Sequence, residues 1–316
     1  METKKIREFV IKDHIDGFFA VRKKDVREYA RGQFVSLELG DCSGRVAAVM
    51  WDPDQFALAE LEEGMVVKAR GVVGEYQNKI QLTVEKIRLA TDNEFHIEDI
   101  MPHSAQSVEE RKARLLALTD KIENSYIKNL VMSFWSDETF MNAFLKAAAG
   151  KLWHHAYIGG LSEHAANVAE LALKVATGYD FLNKDLLIFG GLFHDAGKLS
   201  SYSSDMNMID YTDEGRLLGH IALMDRWLCE RASKIEAFPD KLLTKLRHLI
   251  LSHHGELQYA SPVVPMMPEA FVLYYCDEID SKMGAIDLIR QKQDGVGWSE
   301  YVKMLDRFLY FGDRDT

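Results

Sequence analysis

Histidine and aspartate side chains recur in short strings along the second part of the chain. The strings read GGLSEHAANVAEL, LFHDAGK, GRLLGHIAL, LSHHGE and YYCDEIDSKM, and they contain His164, His194, Asp195, His220, His253, His254 and Asp277. Imidazole and carboxylate groups together suit divalent transition ions or a mixed Mn/Mg-type site. Because no C-x-x-C pair accompanies them, structural zinc is disfavoured. The sequence therefore predicts a metal site to which separate helices contribute ligands.

The setting of these residues indicates that they face the interior of the protein. His164 shares an apolar stripe with Val168, and His220 is set among apolar residues from Leu217 onward. Asp277 is embedded in the run FVLYYCDEI. A buried aspartate is costly unless it is paired or binds a cation. One core-facing histidine is usually a packing residue, but several helices presenting His or Asp inward are poorly explained by packing.

The first part of the chain has the pattern of short strands. Residues 16–90 contain alternating segments such as FVSLELGD, RVAAVMW and KIQLTVEKIRL, and Asp41–Gly44 supplies a hairpin turn. The segment DPDQFALAELEEG, residues 52–64, predicts a short helix after the third strand. Five strands with one helix after the third is the order of an OB barrel.

The hydrophobic period becomes helical from about Val108, and strand signals nearly vanish. We therefore expect a multidomain protein with an N-terminal all-β OB barrel and a C-terminal all-α domain. The predicted boundaries are an OB domain over residues 1–95, a linker over 96–110 and a helical domain over 111–316.

Composition sets limits on location. The longest near-unbroken apolar run, Leu186 to Phe193, falls well short of the roughly 20 residues that span a bilayer. The charged start METKKIREF lacks the apolar segment of a secretory signal. No membrane association and a cytoplasmic location are therefore expected. Cys42, Cys229 and Cys276 are far apart and are expected to be reduced thiols.

The net charge of −11 first argues against a polyanionic partner. Residues 1–95 carry 15 Lys and Arg against 17 Asp and Glu, whereas residues 96–316 carry 23 against 32. The acidity thus falls mainly in the helical part. We expect few phosphate contacts, and hence weak to moderate affinity for nucleic acid with a shallow salt dependence.

The pattern H…HD…H…HH…D, with HDAGK at its centre, resembles the HD superfamily of metal-dependent phosphohydrolases. The resemblance implies two divalent ions, and it would place His164, His194, Asp195 and Asp277 on one, and Asp195, His220, His253 and His254 on the other. Asp195 would bridge the ions, and Lys198 would contact a phosphate oxygen or offset developing charge. Asp195 and Lys198 are the predicted catalytic residues.

Both parts together, with the strings HHAYIGGLSEH and CDEIDSKM, resemble the YhaM-type 3′-to-5′ exoribonucleases of bacteria over nearly the whole chain. This resemblance implies hydrolysis of single-stranded RNA, and also of DNA in many members, to 5′-mononucleotides. Manganese is the favoured ion, with Co, Fe, Ni or Mg left open because His/Asp sites accept them all. A homo-oligomer is a further expectation from the resemblance.

Other residues are candidates for substrate contacts. His154 and His155 could reach the substrate phosphate, support the metal ligands or lie at the surface. Asp280, near Asp277 on the same helix, could orient a ligand, bind a sugar hydroxyl or be solvated. In the barrel, Trp51 and Tyr76 are the favoured aromatic residues for stacking on bases, although small barrels also need aromatic residues in their cores.

Two other functions compete with the exonuclease. The first is an HD-domain hydrolase of free or cyclic nucleotides, for which an OB barrel would have no use. The second is a non-catalytic OB/HD module with a nucleic-acid-binding or regulatory role. The intact set of ligand residues disfavours this second function.

Overall fold

The computed structural model describes residues 4–30, 32–91, 93–150, 155–203, 210–292 and 295–313, with Lys292 described only in its backbone. The chain divides into two compact units, residues 1–103 with 203–210 and residues 104–202 with 211–316. Among the described helices, none combines the length and apolar character that crossing a bilayer requires.

The first unit contains a closed five-stranded barrel. Its strands are β1 (His14–Tyr29), β2 (Gly32–Asp41), β3 (Gly44–Met50), β4 (Val66–Tyr76) and β5 (Lys79–Leu89). They are joined in the order β1-β2-β3-β5-β4, and β1 also pairs with β4. All pairs are antiparallel except β3 with β5, which run parallel. The predicted N-terminal OB barrel is confirmed.

Strand alternation explains the barrel interior. In β2 the side chains of Val35, Leu37 and Leu39 are buried, whereas the intervening Phe34 and Ser36 are only partly buried. A strand places successive side chains on opposite faces, so one face of β2 fills the core and the other faces outward.

The connection between β3 and β4 differs from the predicted helix over residues 52–64. Only one turn of π-helix forms there, Phe56–Glu60. The ammonium group of Lys24 donates hydrogen bonds to the carbonyl oxygens of Leu58 and Leu61, at 3.0 and 2.7 Å. Because a side chain from β1 bonds these carbonyls, the helix ends early.

Helices form the second unit, as predicted. A short helix, α1 (Ile97–Ile100), belongs to the first unit. The second unit contains α2 (Val108–Asp120), α3 (Ser125–Trp135), α4 (Glu138–Lys146), α5 (Gly160–Ala176), α6 (Lys184–Phe193), α7 (Lys198–Ser201), α8 (Asp213–Ala232), α9 (Asp240–Ser252) and α10 (Pro268–Lys292).

Helix α6 lies at the centre of this unit. Every residue from Leu186 to Phe193 is buried, which explains the long apolar run in a chain without a predicted membrane span. A Cβ atom on Gly191 would lie 2.5 Å from the Cα atom of Ala169 on α5. Glycine therefore allows α5 and α6 to approach closely, and His164, before this contact on α5, lies close to His194, after it at the end of α6.

Helix α8 is broken one residue before His220. Gly219 has φ 74° and ψ 155°, a conformation open essentially only to glycine. Ile221 beyond the break is buried as expected, but Leu217 before it is 82% exposed. The prediction that Leu217 lies with His220 in the core is wrong, because the break turns the first part of α8 away.

The aromatic core of the helical unit generates a stability prediction. Phe144 on α4 is fully buried and packs on Trp135 with ring centroids 5.2 Å apart. We expect Phe144→Ala to lower the free energy of unfolding by about 3–5 kcal/mol, through lost burial and the cavity it leaves. Urea denaturation followed by circular dichroism measures this. The control, Phe181→Ala at an exposed site, should change it by less than about 0.5 kcal/mol; equal effects would contradict the predicted role of Phe144.

Candidate metal centre

The predicted ligand residues of the helical unit converge in two groups that share Asp195. The first group consists of His164, His194, Asp195 and Asp277. Its central atom is Nε2 of His164, which lies 3.1 Å from Nε2 of His194, 3.2 Å from Oδ1 of Asp277 and 3.5 Å from Oδ2 of Asp195. Four potential ligand atoms thus surround one small volume.

The second group consists of Asp195, His220, His253 and His254. Nε2 of His220 lies 3.3 Å, and Nε2 of His253 3.7 Å, from Oδ1 of Asp195. The three histidines each offer a ring nitrogen, and these nitrogens lie within 4.8 Å of one another. The two oxygens of Asp195 therefore face different groups, Oδ2 the first and Oδ1 the second.

Five helices position these side chains. His164 lies on α5, and His194 and Asp195 directly follow the buried helix α6. His220 lies beyond the break in α8, His253 and His254 follow α9, and Asp277 lies on α10. Since Asp195 comes one residue after His194, the two side chains diverge, and this lets Asp195 reach the second group.

Backbone carbonyls fix the ring orientation of three histidines. A carbonyl oxygen only accepts hydrogen bonds, so a ring nitrogen bonded to it must carry the proton, and a neutral ring then has its other nitrogen free as a ligand. The pairs are His194 Nδ1 with Gly191 O at 3.1 Å, His253 Nδ1 with Ile250 O at 2.7 Å, and His254 Nδ1 with Tyr259 O at 2.8 Å. Nε2 of each ring is left for a metal ion.

The donor set fits divalent cations. Nε2 of His220 and Nε2 of His253 are buried without a hydrogen-bond partner among the described residues, an arrangement that costs free energy unless something else is bound there. The groups contain imidazole nitrogens and carboxylate oxygens but no thiolates, which suits Mn-, Fe-, Co- or Ni-type ions. An ion bound in the second group would satisfy both nitrogens.

Burial and charge set the protonation states. Burial lowers the pKa of His194 and of His220 to about 4, so both rings are neutral at pH 7. Burial also opposes charge on His164, but hydrogen bonds to Asp277 and Asp280 outweigh it and raise its pKa to about 10. Without a cation, His164 thus holds a proton that a bound metal ion would replace.

Asp195 is an ionised carboxylate although it is only 4% exposed. Burial alone would raise its pKa, but Lys198 and the surrounding histidines outweigh burial and hold the pKa well below its usual range. The ammonium group of Lys198 lies 2.6 Å from Oδ2 of Asp195 and its side chain is 12% exposed. Lys198 is therefore part of the centre rather than a solvated residue at a helix end.

Asp280 lies behind the first group. Its Oδ2 atom accepts hydrogen bonds from Nδ1 of His164 at 2.7 Å and from Nε2 of His155 at 2.8 Å, and its Oδ1 atom accepts one from Asn167 at 3.0 Å. Nδ1 of His155 in turn lies 2.6 Å from the hydroxyl of Tyr157. This geometry favours the alternatives in which Asp280 orients a ligand and His155 supports it.

Sequence reasoning missed two members of this network. Asn167 lies three residues after His164, a helical spacing that places both on one face of α5 and that could have indicated it. Tyr157 lies within the quoted string HHAYIGGLSEH, but nothing in its spacing points to His155. His154, predicted with His155, lies outside the described residues.

The two predicted barrel residues are both exposed and lie at different places. Trp51 directly follows β3 and packs on Phe34, with ring centroids 4.9 Å apart, and on Tyr29 at 5.4 Å. Tyr76 ends β4 at the turn into β5. Neither lies in the helical unit that holds the metal centre.

Five cations on the barrel strands have acidic neighbours. These pairs are Arg45 with Glu38, Lys68 with Asp16, Arg88 with Glu94, and Lys23 and Arg27 with Asp25. Exposed pairs of this kind contribute only about 0–1 kcal/mol each to stability. They nevertheless reduce the positive potential that the barrel offers to phosphates.

Comparison with known families agrees with both units. Residues 19–90 match the OB-fold nucleic acid binding domain, and residues 161–282 match the HD domain. The second range contains all seven predicted metal ligands and Asp280. The chain thus combines an N-terminal OB-fold domain with a C-terminal HD domain, and HD domains form a family of metal-dependent phosphohydrolases that bind divalent metals.

Solved structures that are similar to part of the chain include two OB domains. The second OB-fold domain of replication protein A from Methanococcus maripaludis is 21% identical, with 28% of this chain and 95% of that chain covered and a TM-score of 0.24. The OB domain of Ta0387 from Thermoplasma acidophilum is 16% identical, with 29% and 89% covered and a TM-score of 0.23.

The support that Asp280 gives to His164 can be tested through metal affinity. Three neighbouring groups bond the carboxylate, and an amide would turn N–H donors toward some of them. We expect Asp280→Asn to weaken Mn²⁺ binding about 10- to 100-fold, as measured by calorimetric titration. The control is Asp287→Asn, which changes an exposed aspartate of the same helix that pairs with Arg290. Equal affinities in the two variants would contradict a role for Asp280 behind His164.

Proposed function

We propose that this protein is a metal-dependent 3′-to-5′ exonuclease that hydrolyses single-stranded RNA, and also single-stranded DNA, to 5′-mononucleotides. The observation that carries the proposal is the position of Asp195, whose two carboxylate oxygens face two separate groups of histidines 3.3 to 3.7 Å away. The OB-fold domain in the same chain favours a nucleic-acid strand over a small substrate.

In this proposal two divalent ions are bound, with manganese favoured. His164, His194, Asp195 and Asp277 would hold one, and Asp195, His220, His253 and His254 would hold the other. Such a pair of cations lowers the pKa of a water molecule and offsets charge on a phosphate group. The ionised Asp195 and Asp277 and the neutral rings of His194 and His220 are the protonation states that cation binding requires.

The proposed reaction breaks the last phosphodiester bond of the strand. The oxygen of water forms a bond to phosphorus, and the bond from phosphorus to the 3′ oxygen of the penultimate nucleotide breaks. That oxygen takes up a proton, so the shortened strand keeps a 3′ hydroxyl and the released nucleotide keeps its 5′ phosphate. In this proposal Lys198, which contacts Asp195 at 2.6 Å, binds a phosphate oxygen and offsets the charge that develops there.

The barrel would bind the strand ahead of its end. The exposed ring of Trp51, supported by Phe34 and Tyr29, offers a surface on which a base can stack, and Tyr76 offers a second. Stacking is tolerant of sequence, because every base has an aromatic face. A homo-oligomeric state and a cytoplasmic location stay predictions.

Substitution of Asp195 separates hydrolysis from strand binding. We expect Asp195→Asn to abolish Mn²⁺ uptake and hydrolysis, because an amide cannot supply an anionic oxygen to both groups. Binding of single-stranded RNA by the barrel should remain within about twofold of that of the unchanged protein. In the assay, 5′-labelled RNA is incubated with the protein and Mn, Co, Fe, Ni or Mg, and the products are resolved on a gel. Free and cyclic nucleotides are tested as substrates in parallel. Asp180→Asn, at an exposed aspartate of the same unit, is the control.

The products decide between the candidate functions. A ladder of labelled strands that shortens from the 3′ end supports the exonuclease. Hydrolysis of free or cyclic nucleotides while the RNA stays uncleaved would contradict the exonuclease and support the nucleotide hydrolase. Absence of hydrolysis with every ion, despite strand binding, would favour the non-catalytic module.

The acidic partners of the barrel cations generate a prediction about salt. We expect the logarithm of RNA affinity to fall with the logarithm of salt concentration with a slope no steeper than about −2, which corresponds to about three phosphate contacts. Fluorescence anisotropy of a labelled RNA over a salt series measures the slope. Glu38→Gln, which removes the partner of Arg45, should make it steeper. A slope of about −5 for the unchanged protein would contradict the prediction.

A further inference from the structure

Asn167 on α5 connects the candidate metal centre to helix α2. Its amide nitrogen donates to Oδ1 of Asp280 at 3.0 Å, and its amide oxygen accepts from Nη2 of Arg114 on α2 at 2.9 Å. The other carboxylate oxygen of Asp280 accepts from Nδ1 of His164 at 2.7 Å. A chain of three hydrogen bonds therefore runs from the guanidinium group of Arg114 to a predicted metal ligand.

The two neighbours of the Asn167 amide determine which way it points. A guanidinium group has only N–H donors, and a carboxylate has only acceptors. The amide oxygen must therefore face Arg114, and the amide nitrogen must face Asp280. If the amide turned over, its oxygen would lie against an acceptor and its nitrogen against a donor, and both hydrogen bonds would be lost.

Arg114 is itself fixed by contacts with two further side chains. Its Nε and Nη2 atoms donate to the carboxylate of Glu170 at 3.1 and 2.9 Å, and its Nη1 atom donates to the side-chain oxygen of Gln106 at 2.9 Å. A bidentate pair of this kind fixes the plane of the guanidinium group. Glu170 lies one helical turn after Asn167 on the same face of α5. The guanidinium group thus presents Nη2 to Asn167 in a defined orientation.

We propose that Arg114 is a positioning residue for the ion of the first group. It sets the orientation of Asn167, and the amide of Asn167 in turn keeps the carboxylate of Asp280 in place. This inference rests on the metal centre of the proposed function, and it adds a residue from α2, a helix on which none of the candidate ligands lies.

The mechanism of positioning is electrostatic. Without Arg114, the amide of Asn167 can turn its oxygen toward Asp280, and the two groups then repel each other. The carboxylate would move away from Nδ1 of His164, so Nε2 of His164 would be presented less accurately to the ion. The second group has no part in this chain of hydrogen bonds and should bind its ion as before.

The test substitutes Arg114 in the full chain and measures Mn²⁺ binding by calorimetric titration. Arg114→Met keeps most of the aliphatic length of the side chain but removes its N–H donors. We expect the affinity for one of two Mn²⁺ ions to fall about 3- to 10-fold, the order expected for one hydrogen bond, and the other affinity to stay within about twofold.

A double-substitution cycle tests whether Arg114 acts through Asn167. Asn167→Leu removes the amide and should weaken binding of the same Mn²⁺ ion. Adding Arg114→Met to Asn167→Leu should then change this affinity by less than about twofold, because the group through which Arg114 acts is already gone. If the two effects multiply instead, the proposal is overturned.

Arg231→Met is the matched control. The side chains of Arg114 and Arg231 are 25% and 23% exposed, and Arg231 also pairs with a carboxylate, that of Asp137 at 2.8 Å. The 11 residues from His220 to Arg231 cover about 16 Å of α8. Arg231→Met should therefore bind Mn²⁺ like the unchanged protein, even where urea denaturation shows that it unfolds more easily. Equal losses of Mn²⁺ affinity in Arg114→Met and Arg231→Met would overturn the proposal.

The outcomes separate this inference from the proposed function. If RNA is cleaved but Arg114→Met leaves the Mn²⁺ affinities unchanged, whether one ion binds or two, Arg114 has no positioning role and the exonuclease stands. If Mn²⁺ binds but RNA is not cleaved with any ion, the exonuclease fails, and the Mn²⁺ affinities of the variants still decide the role of Arg114. If the unchanged protein binds none of Mn²⁺, Co²⁺, Fe²⁺ and Ni²⁺, both are overturned.

Discussion

A single buried carboxylate, Asp195, organises the helical domain. An ionised carboxylate removed from water is strongly disfavoured unless positive charge and hydrogen-bond donors surround it. Lys198 supplies one contact at 2.6 Å, and ring nitrogens of four histidines lie 3.3 to 3.7 Å from the two carboxylate oxygens. The helices that contribute these histidines must pack accurately relative to one another, because their side chains and Lys198 together offset the free-energy cost of the buried charge.

The surrounding structure determines how the ligands are presented. In His194, His253 and His254 the Nδ1 atom donates a hydrogen bond to a backbone carbonyl oxygen. In His164 the Nδ1 atom donates to the carboxylate of Asp280 instead. The histidines are thus oriented before any cation binds, which reduces the ordering that binding would otherwise require. His155 in turn holds Asp280 in position, because its buried ring is hydrogen-bonded to Asp280 through one nitrogen and to Tyr157 through the other.

Local signals were enough to predict the fold class and the convergence of the ligand residues. Alternation along β2 and the helical period beyond Val108 are properties of short segments. The HDAGK string is likewise a local signal, because its five residues are consecutive. The early end of the helix after β3 depends on Lys24, a residue more than 30 positions away. The break at Gly219 likewise depends on tertiary packing, which single-segment patterns do not encode.

The spread of the ligands along the chain has a consequence for biosynthesis. The first of them is residue 164 and the last is residue 277, so the helical domain must be translated as far as the first half of α10 before all the candidate ligands are present. A nascent polypeptide that stops short of α10 has its barrel already synthesised but lacks one of the candidate ligands.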